Sequence, residues 1–181
     1  PDSRPTNISI LSYSSSTDSN LNLDLNIRNS FGYWTSPMAA IIQNKSYTEI
    51  NSKNNYDFYD AIKIVNNFIK RHLKNKTIIG HNIKEYDLKQ LNIWNNKCLI
   101  ETYPFRETFG NEILDSMEIA ILIQAMDFAK FKKFKYSNVR LETLMKYYIS
   151  DYVQSHGAAT DVKDVFELIR LIRKDIKHLD T

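Results

Sequence analysis

Between Thr77 and Leu91 the chain changes its period in a way that leaves few folds open. Thr77-Ile78-Ile79 is a short apolar strand, Gly80-His81-Asn82 is a turn, and a helix begins near Tyr86 with Leu88 and Leu91 on one face. A strand that runs through a tight turn into a helix belongs to an α/β architecture, in which helices cover a sheet. Asp87 falls in the first turn of that helix, where the positive end of the helix dipole favours an anion, so the unit carries an acid at its mouth.

A second stretch has related chemistry. Ser155-His156-Gly157-Ala158-Ala159-Thr160-Asp161 places an imidazole in a Ser/Gly-containing loop and a carboxylate five positions later. The apolar-periodic run after it, to about Ile172, puts Asp161 in the first turn of another helix. A carboxylate there suits a metal ion, and His156, a side chain that titrates near neutrality, can act as general base toward a metal-bound water. A His–Asp pair at a helix start is a common coincidence, and the Thr77–Leu91 unit is what supports a functional reading of it.

Together the two stretches resemble motifs of the DEDDh 3′–5′ exonucleases. The family pattern HNxxFDxxxL appears as His81-Asn82-Ile83-Lys84-Glu85-Tyr86-Asp87-Leu88-Lys89-Gln90-Leu91, and HxAxxD as His156 to Asp161. Arg140-Leu141-Glu142-Thr143-Leu144-Met145-Lys146 and Ile113-Leu114-Asp115-Ser116-Met117 are similar to further segments of the bacterial exonuclease I branch, and all four lie in the family's order. The resemblance implies a ribonuclease-H-like mixed sheet flanked by helices and a metal-dependent 3′–5′ exonuclease. Its product would be nucleoside monophosphates from single-stranded nucleic acid, DNA before RNA. In that reading Asp87 and Asp161 bind the metal, His156 is the base, and Asn82 makes a polar contact near the site. Magnesium, with manganese as a substitute, fits carboxylate and water ligands.

Totals narrow the setting. A length of 181 residues, 43% apolar and 12% aromatic, suits one compact domain and argues against disorder. The net charge of +3 is compatible with a polyanionic partner without requiring one. The single cysteine, Cys98, excludes an intramolecular disulfide and a multi-cysteine zinc site, and fits a reducing compartment. No apolar run approaches the roughly 18 residues that span a bilayer, and the N-terminus lacks a basic-then-apolar signal pattern, so a soluble, intracellular protein is expected.

Elsewhere, Asn7 to Ser14 and Leu21 to Ile27 read as two strands of an antiparallel hairpin across a Ser-rich turn. Asp60 to Leu73 has helical periodicity. Ser36-Pro37 looks like a helix start, and the nearby Tyr33 and Trp34 are either packing residues or, as the resemblance suggests, stack on a base. Residues 92–111 carry Trp94, Tyr103, Phe105 and Phe109 without a clear period, and Asn111 to Asp115 reads as a last strand before a helix. Asp115 is either the cap of that helix or a metal ligand, and the resemblance makes it a support for the ligands. Lys130 to Tyr136 interleaves cations with aromatics; Lys132 and Lys133 are either phosphate contacts of a single-strand groove or part of a solvated connector.

One family feature is missing. The first two carboxylates of the motif set come from an Asp-x-Glu pair on the first strand, and this sequence has none. Asp2, Asp18 and Asp24 do not replace it. Pro1 to Ile8 resembles the family segment immediately after that motif, so the expectation is a chain starting just past it, without the central first strand. Residues beyond this chain complete the domain, another segment fills the slot, or the protein is a relative that has lost catalysis and acts as a nucleic-acid-binding or scaffold module.

Overall fold

The computed structural model describes residues 4–12, 21–28, 40–41, 44–100, 110–126 and 138–177. Strands β1 (Asn7–Ser12) and β2 (Leu21–Asn26) form the expected antiparallel hairpin, with Asn7 opposite Asn26 and Ser12 opposite Leu21. The alternation in β2 turns Leu25 inward together with Ile27 just beyond it, both buried, whereas Leu21 near the turn is exposed. A short helix, α1 (Tyr47–Ile50), starts on a capping box in which Ser46 and Glu49 satisfy each other's backbone N–H groups.

Helix α2 (Phe58–His72) begins on Asp57, whose carboxylate accepts the Tyr59 N–H, and buries Phe58, Ala61, Ile62, Val65 and Ile69 at helical spacing. The chain then turns through Asn75 into β3 (Thr77–Gly80), followed by α3 (Asp87–Lys97). Strand β4 (Glu112–Asp115) lies parallel to β3, with Gly80 opposite Asp115. Helices α4 (Ser116–Met126), α5 (Leu141–Tyr148) and α6 (Ala158–Lys177) follow.

Ile78 and Ile79 of β3 point to opposite faces, and each face is covered. Ile78 and Ile113 pack against the core built on Ile27, Phe58, Ile62, Val65 and Leu91, and Ile79 packs against a second core of Ala120, Leu144, Met145, Val165 and Leu168. Burial on both faces explains why β3 reads as a continuous apolar run without alternation. Among the described residues the strands form two separate pairs, one antiparallel and one parallel, and α6 lies against both β1 and β3.

Several sequence expectations are refined. Trp94, in the stretch without a clear period, sits inside α3, its ring edge-on to Phe58 at 6.5 Å. Cys98 is buried. Tyr33, Trp34, Ser36-Pro37, Tyr103, Phe105, Phe109, Lys132 and Lys133 lie outside the described residues. Among the described residues no helix is long and apolar enough to cross a membrane.

Candidate functional site

The carboxyl ends of β3 and β4 are where chemistry-bearing residues gather, as at the strand ends of other α/β sheets. Gly80 closes β3 because nothing larger fits: a Cβ there would stand 2.6 Å from the Cβ of Ile83, which folds back over it and is itself buried. Asn82 takes φ 58°, a left-handed conformation that asparagine tolerates better than most residues. The turn is held from across the sheet. Asp115, 3% exposed, accepts the backbone N–H of Asn82 at 2.8 Å, of Met117 at 3.0 Å and of Lys84 at 3.3 Å. Of the two readings of Asp115, the cap is what the structure displays: it caps α4 and clamps the His81–Lys84 turn with the same carboxylate.

His81 is fixed beside it. Its Nδ1 lies 2.9 Å from the hydroxyl of fully buried Ser116, and the ring also hydrogen-bonds the Val139 backbone. Burial lowers the His81 pKa, an effect opposed by the Asp115 charge and the Val139 bond. Asp87, at the start of α3, behaves in the opposite sense. Although the residue is exposed overall, its carboxyl is crowded by surrounding protein, and burial, with a smaller contribution from Asp115, pushes it up to about 6. The energetic weight of that shift is small, since solvent reaches the group.

The second motif lies on the α5–α6 loop and the head of α6. His156 is exposed, with φ 54°. Asp161 is half-buried in the first turn of α6, and its Oδ1 accepts the side-chain amide of Gln154 at 3.1 Å. The Tyr152 hydroxyl donates to Asp164, and burial followed by that bond raises the tyrosine pKa strongly. Glu142, on α5, accepts from the Lys146 ammonium at 2.6 Å, and that hydrogen bond and charge lower its pKa.

Each predicted site residue within the described part therefore sits at a loop-to-helix junction: Asn82 and Asp87 after β3, His156 just before α6 and Asp161 in its first turn. Among the described residues, no group of three or more His, Cys, Asp or Glu side chains is arranged to hold a metal ion. Asp87 and Asp161 each offer a hard oxygen donor of the kind magnesium takes together with water and phosphate oxygens. A carboxyl raised toward neutrality next to another acid is a group that a divalent cation relieves. Ser116, Tyr152, Gln154 and Asp164 escaped the sequence reading because their partners are not periodic neighbours; His81 and Ser116 are 35 positions apart.

No family model and no curated protein sequence matches the chain. Solved structures do. E. coli exonuclease I in complex with a dT13 oligonucleotide aligns over 97% of this chain with a TM-score of 0.78 at 15% identity. The fold is that of exonuclease I. The zinc-bound form of E. coli exonuclease I with single-stranded DNA matches over 95% of the chain with a TM-score of 0.78, and its 5cy-dA13 complex over 94% with 0.75, both at 15% identity. The chain spans 38%, 37% and 36% of the length of these three exonuclease I chains. The exonuclease I fold thus embraces nearly all of the present chain.

Proposed function

We propose that this protein is a metal-dependent 3′–5′ exonuclease acting on single-stranded nucleic acid, DNA in preference to RNA, and releasing nucleoside monophosphates. The observation that carries the reading is the exonuclease I fold over almost the whole chain, combined with Asp87, His156 and Asp161 at its loop-to-helix junctions. Asp87 and Asp161 supply hard oxygen donors for magnesium or manganese. When bound, such a cation lowers the pKa of a coordinated water and offsets charge on the scissile phosphate. His156, exposed on a loop five positions before Asp161, accepts the proton of the attacking water. Asn82 contributes a polar contact beside Asp87, and Lys132 and Lys133 contact phosphates of the strand.

The test is degradation of a 5′-labelled single strand in excess magnesium. His156→Ala should bind the strand like the parent yet turn over about 10²–10⁴-fold more slowly, the usual cost of losing a general base. Asp87→Asn with Asp161→Asn should abolish turnover and weaken manganese binding in calorimetry. Exchanging Lys132 and Lys133 for Gln should flatten the salt dependence of binding by about two phosphate contacts. A second reading, a non-catalytic nucleic-acid-binding or scaffold module, is favoured by the lack of an Asp-x-Glu pair in this sequence. It wins if strands are bound but never shortened.

A further inference from the structure

The loop from Tyr152 to Gly157 is tied to α6 at two points, one turn apart. Gln154 Nε2 donates to Asp161 Oδ1, and the Tyr152 hydroxyl donates to Asp164 Oδ2. Backbone N–H groups of Thr160 and Asp161 both reach the Gly157 carbonyl and close the first turn. Between the ties stands Val153, which is 84% exposed, and just beyond them stand Ser155, which is exposed, and His156, exposed and left-handed at φ 54°. The segment between Tyr152 and Gly157 therefore buries little, and its shape is set by these two side-chain bonds more than by hydrophobic packing.

We propose that Gln154 is a positioning residue that sets the Asp161 carboxylate for a divalent cation, and that Tyr152, by holding the same loop to Asp164, fixes where His156 stands. This rests on the metal-binding role proposed for Asp161. A carboxylate turns easily about its last bond, and an N–H donated to Oδ1 selects one orientation while leaving Oδ2 available to a cation. An amide does this without neutralising the charge, as a lysine or arginine at the same place would. The assignment of the Gln154 nitrogen as the contacting atom is dictated by the partner, since an ionised carboxylate only accepts. A left-handed backbone at a non-glycine residue is strained and persists where neighbouring bonds over-determine it, which is what the Gln154 and Tyr152 ties do for the loop that carries His156. Hydrogen-bond partners of metal-binding side chains commonly change metal affinity or activity by about 10–100-fold when removed.

Calorimetric titration of the intact protein with manganese, alongside thermal unfolding, provides the test for Gln154→Ala, Ser155→Ala and Asp161→Asn. The expected result is a loss of affinity of about 10–100-fold in Gln154→Ala, with an unfolding midpoint close to that of the parent and of Ser155→Ala. The side-chain amide resonances of Gln154 should also shift during a magnesium titration, because amide and cation share one carboxylate. Manganese affinity that is unchanged in Gln154→Ala but reduced in Asp161→Asn overturns the positioning role alone. If Asp161→Asn also binds manganese like the parent, the metal-binding role of Asp161 and the positioning role fall together. A Tyr152→Phe variant addresses His156 separately: faster amide exchange at His156 and Gly157 supports the loop tie, and unchanged exchange overturns it.

Discussion

At the scale of single residues, the motif around His81 does two jobs, and the structural one is written in backbone angles. Asn82 holds φ 58°, which costs most L-residues about 1–2 kcal/mol and asparagine or glycine less. Asn82→Gly should accordingly leave urea stability close to that of the parent, whereas Asn82→Val should lower it by about 1–2 kcal/mol, β-branching being least compatible with this conformation. Gly80→Ala should be worse than its size suggests. The added Cβ would stand within 2.6–2.9 Å of three Ile83 side-chain atoms, and such overpacking costs about 1–3 kcal/mol, measurable as a lower urea midpoint. The sequence showed that glycine, asparagine and an acid belong together here as strand, turn and helix mouth. It did not show that Asp115, more than 30 positions downstream, supplies the acceptor for the turn's N–H groups, because nothing local encodes that pairing.

Elements are joined by a polar contact at one place that periodicity alone would fill with apolar side chains. Between α2 and α3, buried Asn66 and Asn95 exchange side-chain amide bonds of 2.7 and 3.2 Å. Asn95→Ala leaves the Asn66 amide with an unmet partner in a buried interface, so a loss of about 1–3 kcal/mol is expected in urea unfolding. The junction of β3 and α3 makes stability depend on pH through Asp87. Its carboxyl is raised from the usual 3.8 to about 6 in the folded chain, so the folded state holds this proton more tightly than the unfolded one. The stabilisation this provides is fully present below about 3.8 and lost as pH rises through about 6. Asp87→Asn should thus raise the unfolding midpoint relative to the parent at about pH 7.5 and give up that advantage at about pH 4. His81 works the other way: burial lowers its pKa, so its contribution is present above 6.5 and lost as pH falls below that value. The different windows let calorimetric scans across pH separate the two groups.

Across the whole molecule, α6 is the element on which the halves depend, since it lies against both β1 and β3 and carries Leu168, fully buried in the second core. Leu168→Ala should cost about 2–5 kcal/mol in denaturant unfolding, against about 0.5 or less for Leu122→Ala on the exposed side of α4. What the sequence by itself determined is the set of elements: the hairpin of β1 and β2, the apolar face of α2, the strand–turn–helix at Gly80 and the acids at the heads of α3 and α6. Each is encoded by neighbours within about four positions, through the periods of 2 and 3.6 and the dipole at a helix start. Tertiary structure alone decided the partners. It joined β3 to β4 in parallel, kept that pair apart from β1 and β2 among the described residues, set Asp115 beneath the turn of Asn82 and laid Gln154 on Asp161. Local pattern says which face of an element is buried. Which distant group meets it there depends on loop closure and packing summed over the chain, and those have no signature within a few residues.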